Sequence, residues 1–527
     1  MFELNRDTAD LLENFYLPFG GKLNPRNRWV QLATLIPWGH LEEKYNQSFA
    51  SIDIGQKAYS VRIALGSLII KERLGLSDRE TTLQIQENPY LQFFLGYKEF
   101  VDDEEPFHHS LMTHFRQRLG ADILAEVNDL VAKAALEAER AATAKEDSAP
   151  RRDDDDDDHP EGVQMTLEDF SNTLSVPQQA PAKAKRSGSR VKKLRVLPPA
   201  PEQQENVKNK GTLMLDATCA PADIKYPTDL GLLNHARENL EDIIDVLHEP
   251  HIGKKEKPRT YREKARQSYL GVSKQRKASG KTIRKAVKKQ LGYVGRDLRI
   301  IESMMEETPL SHLSSRQYRQ LLVISELYRQ QREMIQNGTH TASDRIVSIE
   351  QPHVRPIVRG KAGANVEFGA KIAASLVGGY AFIEAAAWDN FNEATTLQES
   401  VETYKQRFGY YPAVILADTI YRNRENLKYC KEHGIRLSGP RLGRRSKNHN
   451  EAEDRKLEKQ DAAQRNAIEG KFGEGKRKLG LGRIFARGAD TSMTVIAIQF
   501  LVMNLERRLR ALFLSFFRFL TFRLLFA

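Results

Sequence analysis

The sequence predicts a multidomain protein: an α-helical N-terminal domain, then an α/β core that carries a largely helical insertion. Three observations lead there. The 527 residues exceed what one hydrophobic core organises, so two or three domains are expected. Residues 136–208 form a compositional break of low hydrophobicity and segregated charge. Beyond Gly211, short apolar runs of strand type are followed by long segments of helical period, the pattern of a mixed α/β unit.

Residues 1–135 read as helices. Ile63, Leu65, Leu68, Ile69, Ile70, Leu74 and Leu76 make one apolar segment broken at Gly75. Ser77 is placed to cap the next helix, with Glu80 three residues on completing a capping box. A third segment, Phe107 to Leu119, carries His108, His109, Arg116 and Arg118. Short helices, a tight glycine turn and a basic third helix are compatible with a helix-turn-helix reader of DNA ends, or with a plain helical packing domain. The adjacent histidines do not share a helix face and so do not suggest a metal pair.

Residues 136–208 are expected to be a disordered charged linker, entered through a polar, Ala-rich helix end at Ala134 to Ala144. It contains the unbroken acidic run Asp153 to Asp158, a Pro/Gln/Ala stretch and a basic cluster from Lys183 to Arg195. Ordered structure is expected to resume at Gly211. A helix follows Tyr226-Pro-Thr-Asp229, with Leu233, Ala236, Leu240, Ile243, Ile244 and Leu247 on its apolar side. Residues 254–289 then hold fifteen Lys or Arg and two Glu, with Tyr261 and Tyr269 interleaved, inside a helical basic insertion over 250–342. Strands are expected at 345–349, from Asn365, from Gly379, and at Ala413 to Asp418; a helix is expected near 393–408. The core so defined spans 209–510, and 511–527 is a hydrophobic C-terminal tail. That tail is short for a membrane span and is interrupted by Arg518 and Arg523, which favours packing on the protein over membrane contact.

Lys and Arg number 81 against 70 Asp and Glu, a balance that favours a polyanionic partner. Cys219 and Cys430 are the two cysteines; they stand far apart, which excludes a disulfide framework and a zinc-type Cys cluster. The N-terminal residues show no secretory pattern, so a cytoplasmic, nucleoid-associated protein is expected.

The residues that point to chemistry are three carboxylates. Asp216 ends the apolar run from Gly211, Asp418 ends the run from Ala413, and Glu469 lies 51 positions later in a helical segment. Two strand-end carboxylates and one helix carboxylate can converge on two divalent ions, Mg²⁺ or Mn²⁺, at a sheet edge. Two ions roughly 3.5–4 Å apart suit in-line phosphoryl transfer, because both the attacking and leaving oxygens carry charge that must be neutralised. In this reading Asp216 bridges the ions, Asp418 holds one and Glu469 the other. On a helix, Arg465, Glu469 and Lys476 fall at i, i+4 and i+11 and share a face, placing two cations beside the carboxylate to hold a scissile phosphate. Gly470, Gly473 and Gly475 each cost about 1 kcal/mol in a helix relative to Ala, which makes sense where the backbone must approach DNA or another element closely. Asp223 and Asp229 suit turn and cap roles; Asp389, after Trp388, is the best substitute ligand. The cations Lys281, Arg284, Lys285, Lys288 and Lys289 are the expected contacts to DNA phosphates.

At these residues the chain resembles the bacterial insertion-sequence DDE transposases, specifically those grouped as insertion-sequence family five. The resemblance runs through the helical region from Gly66 to Arg116 and the segments Asp216 to Asp229 and Ala417 to Asn426. It ends at the Arg-x₃-Glu-x₆-Lys signature at Arg465, Glu469 and Lys476. Ala462 stands where some members carry a Tyr three residues before the Arg, so no role of that Tyr carries over. The resemblance implies a ribonuclease-H-like core, Mg²⁺ or Mn²⁺ dependence and recognition of terminal inverted repeats. The expected partners are double-stranded DNA, as element ends and as target, and a second copy of the chain in the DNA complex. The alternatives are a catalytically idle DNA-binding relative or regulator and a stand-alone metal-dependent nuclease.

Overall fold

The computed structural model describes residues 12–17, 21–47, 58–148, 208–361, 364–440 and 451–525. The acidic run and the basic cluster of the expected linker lie outside the described residues. The molecule is mostly helical and contains one mixed sheet.

The N-terminal part is built of helices, among them α1 (Arg28–Leu35), α2 (Trp38–Gln47), α3 (Val61–Leu74), α4 (Asp78–Glu87), α5 (Pro89–Leu95) and α6 (Leu111–Ser148). Their ends follow local chemistry. Gly75 closes α3 in the left-handed region, at φ 69°, where a side chain is disfavoured. Ser77 caps α4 by accepting from the Glu80 N–H. Pro89 sits in the first turn of α5, where its missing N–H costs nothing. Arg62 of α3 is buried and donates to the carbonyls of Phe93 and Phe94, both at 3.0 Å, satisfying the last turn of α5. α6 changes direction at Gly120 and continues through Ser148, taking in the Ala-rich helix end expected at Ala134 to Ala144 and running four residues beyond it.

The sheet is built from β1 (Thr212–Pro221), β2 (Arg355–Lys361), β3 (Ala364–Val377), β4 (Tyr380–Ala387), β5 (Val414–Leu416) and β6 (Arg436–Leu437). Its order is β2-β3-β1-β5-β6, with β4 also paired to β3. β3 runs antiparallel to β1, β2 and β4, while β1, β5 and β6 are parallel. Between β1 and β2 the chain makes α7 (Asp229–His248), α8 (Arg262–Ser273), α9 (Gly280–Met305) and α10 (Ser315–Asn337), which share their own apolar cluster. After β4 come α11 (Leu397–Phe408), then β5, α12 (Arg424–Glu432), β6, α13 (Glu451–Lys478) and α14 (Ala489–Leu525).

The expected strand at 345–349 is absent. Ile346, Val347, Ser348 and Ile349 are buried as irregular chain, and side chains replace a ladder: the Ile346 N–H donates to Gln330 Oε1, and Ser348 Oγ accepts from the Gln351 N–H. The strand lies further on, as β2, which the apolar pattern did not mark.

The N-terminal helices do not stand apart from the sheet. One apolar cluster joins them to Ala370, Ile372, Ala374 and Leu376 of β3, to Ile468 and Phe472 of α13, and to the stretch of α14 from Met493 to Leu509. Asn504 of α14 ties three elements together, donating to Asn128 Oδ1 and the Ala381 carbonyl and accepting from the Ala381 N–H, each at 2.8 Å. The opposite face of the sheet packs Leu213, Leu215, Ile415 and Phe382 against α11, α12 and the middle of α6. The C-terminal tail is the end of α14, which runs unbroken to Leu525. Among the described residues no helix is long and apolar enough to cross a membrane.

Candidate active site

Alternation along β1 decides which way its carboxylate faces. Leu213 and Leu215 join the cluster beneath α11, while Met214 and Ala220 face the side of α13 and α14. Asp216 has the parity of Met214 and lies on the α13 side. It does not end its strand, as the apolar run suggested. β1 continues to Pro221 because β3 pairs with it as far as Gly369. The parallel neighbour stops first: β5 pairs Thr212 with Val414, Leu213 with Ile415 and Met214 with Leu416, then ends. Asp216 and Asp418 each lie two residues beyond the last of these pairs, so the register puts them side by side where β5 gives out. There Asp418 caps a 3₁₀ turn (Thr419–Tyr421), its Oδ1 accepting from the Thr419 N–H at 2.6 Å.

α13 crosses β1 and β5 and supplies the third side. Ile468 and Phe472 anchor it in the core, and Glu469 and Arg465 are left towards the sheet edge, paired at 3.3 Å. Asp216, Asp418, Glu469, Arg465 and Lys476 all line one cleft of about 920 Å³. Of the three glycines in α13, Gly475 is the one set against another element: a Cβ there would stand 3.1 Å from Met503 Sδ and from Leu481 Cδ2. A Cβ at Gly470 would meet open space.

Burial pushes the Asp216 carboxyl up to about 6; the Ala217 N–H and Arg465 oppose this, and Glu393 and Glu469 add to it. A half-buried carboxylate repelled by two neighbours is a group that a cation would relieve. The acidic donors here are all oxygen, which suits Mg²⁺ or Mn²⁺, ions that keep water and phosphate oxygens as further ligands. Among the described residues no three His, Cys, Asp or Glu side chains are gathered closely enough to hold a metal ion by themselves. The cleft therefore offers carboxylates singly or in pairs, beside open space for water and phosphate.

The other sequence candidates lie elsewhere. Asp389 pairs with Arg355 at 3.7 Å and is not part of the cleft lining; Trp388 packs against the His353 ring. Asp223 pairs with Arg483, and Asp229 accepts from Gln331 and Arg345 at the start of α7. Glu474 is engaged by Lys471 and Arg510, away from the Glu469 face. Cys219 and Cys430 are buried and form no disulfide. Lys281, Arg284, Lys285, Lys288 and Lys289 are all exposed on α9, outside the cleft. In the N-terminal part, Arg116 is buried and bonded to Asp78, so it serves packing and not a DNA-facing surface; His108 and His109 precede α6 in a turn.

Two cleft residues carried no sequence signal: Glu393, in a 3₁₀ turn (Glu393–Thr396), and Lys371, within β3. Neither belongs to a motif by spacing. A lysine breaking an otherwise apolar strand at Ala370-Lys371-Ile372 is the one local feature that marks this position.

Comparison with known proteins adds to this geometry. Residues 415–506 match the family model described as a transposase DDE domain, a stretch that takes in Asp418, Arg465, Glu469 and Lys476 and begins after Asp216. Residues 18–118 match a second model, described as a transposase domain. An uncharacterized protein of Rhizobium meliloti, ORF8 in the nfe locus, is 34% identical over 141 residues. That alignment covers 27% of this chain and 65% of the relative. No solved structure matches the chain. Two separate stretches of the chain are thus similar to transposase domains, one spanning α13 and much of α14 and one within the N-terminal helical part.

Proposed function

We propose that the protein is an insertion-sequence DNA transposase of the family-five type, which binds the terminal inverted repeats of its element and catalyses metal-dependent strand cleavage and strand transfer. The observation that carries this reading is the register of β1 and β5, which aligns Asp216 with Asp418 at the point where α13 presents Glu469. The sheet order, four strands joined antiparallel through β3 and continued by parallel β5 and β6, supports a ribonuclease-H-like core.

Mg²⁺ or Mn²⁺ held by Asp216, Asp418 and Glu469 would neutralise charge on the phosphate oxygens in the transition state. The remaining work belongs to the chain. Arg465 and Lys476 line the same cleft and bind the phosphate that must lie against the carboxylates. Arg465 holds Glu469 until a phosphate competes for the guanidinium. The exposed cations of α9 hold flanking duplex through its backbone, independent of sequence. Water serves as the first nucleophile and the freed 3′-hydroxyl as the second. Two copies of the chain act in the DNA complex, each holding one element end, in the bacterial cytoplasm.

The test is incubation of the full chain with duplexes carrying the repeats that flank its gene, with Mg²⁺ or Mn²⁺, scored for nicks at the ends and for joined products. Asp418→Ala and Glu469→Ala should each abolish both. Cutting at the parental rate by either variant would refute the site.

A further inference from the structure

Glu393 stands among the carboxylates of the cleft although nothing in its sequence context marks it. It opens a 3₁₀ turn that packs directly on the 3₁₀ turn capped by Asp418. Its side chain lines the same cleft as Asp216, Asp418 and Glu469.

Lys371 fixes it there. This lysine is buried within β3, opposite Cys219 of β1. An ammonium has three N–H donors, and three acceptors meet it: Asn390 Oδ1 at 3.2 Å, the Phe391 carbonyl at 2.8 Å and Glu393 Oε1 at 2.9 Å. The Phe391 ring lies 5.2 Å from the same nitrogen. Burying a lysine is costly unless its donors are satisfied, and here they are spent on residues 390–393, at the rim of the cleft. The clamp therefore orients one short segment whose acidic member is Glu393.

We propose that Glu393 is a fourth carboxylate of the Asp216, Asp418 and Glu469 site, a cation-positioning residue held in place by Lys371. The inference rests on reading the cleft as a divalent-cation site. Lys371 takes up part of the negative charge when no cation is bound, so four carboxylates can share one cleft without driving its walls apart.

Binding of Mn²⁺ alone to the full chain, followed by electron paramagnetic resonance of the free ion and without DNA, tests this. Far-UV circular dichroism and the melting temperature of each variant control for folding. Asp216→Asn should weaken Mn²⁺ binding strongly. Glu393→Gln should weaken it by about tenfold, the lower end of the range for residues that support a metal site. Lys371→Met should also weaken it, and the double variant should bind no worse than Glu393→Gln alone, because the lysine acts through the glutamate. Parental Mn²⁺ affinity in Glu393→Gln, with Asp216→Asn impaired, would overturn the role of Glu393 and leave the cation site standing. Parental affinity in both would overturn the cation site and the inference with it.

Discussion

Asp297, on the same helix as the basic face of α9, offers a quantitative test of how the insertion is held together. It is fully buried and neither carboxylate oxygen has a hydrogen-bond partner. Its surroundings are Glu241, Arg237, Arg296 and Arg262. Arg237 is committed to Glu241 and Asn234, and Arg262 to Asp245 and the Glu241 carbonyl. Burial pushes the Asp297 carboxyl up to about 7, with Glu241 adding and the three arginines opposing. In the unfolded chain the group titrates near 3.9. The folded value is the higher one, so the folded state binds the proton more tightly. Stability is full below about pH 4 and is lost as pH rises through about 7. A shift of roughly 3 units at 1.36 kcal/mol per unit is about 4 kcal/mol, an upper figure because the helices can relax around the charge. Asp297→Asn removes the ionisation and keeps the shape. Its buried amide should cost about 1–3 kcal/mol at low pH, for want of partners. The variant should therefore be the less stable protein at pH 4 and the more stable one at pH 8. Urea denaturation followed by far-UV circular dichroism, at several pH values, reads the difference in midpoint. Parallel pH profiles for parent and variant would refute an ionisable, uncompensated Asp297.

Charge-neutral replacement of Lys281, Arg284, Lys285, Lys288 and Lys289 by Gln should weaken binding equally for all duplex sequences. The slope of log affinity against log salt should fall by about 0.9 for each phosphate that is no longer neutralised; an unchanged slope in a filter-binding titration would remove α9 from the DNA surface. The glycines of α13 make a matched pair. Gly475→Ala forces a methyl to 3.1 Å from Met503 and Leu481, and overpacking of about 1–3 kcal/mol should exceed the gain in helix propensity. Gly470→Ala meets open space and should stabilise by up to about 1 kcal/mol. Thermal melting of the two variants checks the opposite signs, and equal shifts would show that α13 does not pack on α14 as described.

What could be read along the chain was what local chemistry governs. The Gly75 stop and the Ser77 cap needed only neighbouring residues, and both stand as expected. Arg465, Glu469 and Lys476 were legible together because helical period alone puts them on one face, and α13 carries all three into the cleft. The apolar runs around Asp216 and Asp418 were legible as strands for the same reason, through β propensity. Where local pattern met a non-local partner, the partner decided. Asp216 lies inside its strand because β3 extends the pairing beyond the point where β5 stops. Residues 345–349 look like a strand, but Ile346 to Ile349 are buried without a ladder, and the Ile346 N–H is taken up by the Gln330 side chain instead. The N-terminal helices and the sheet share one core, which composition on either side of the linker could not reveal. Sequence alone therefore determined which carboxylates to watch and the helix that carries one of them. Their meeting was decided by the parallel register of β1 and β5, a matter of hydrogen bonds between segments about 200 residues apart. The same long-range pairing brought in Lys371 and Glu393, because residues from different strands and turns become neighbours only when the sheet closes.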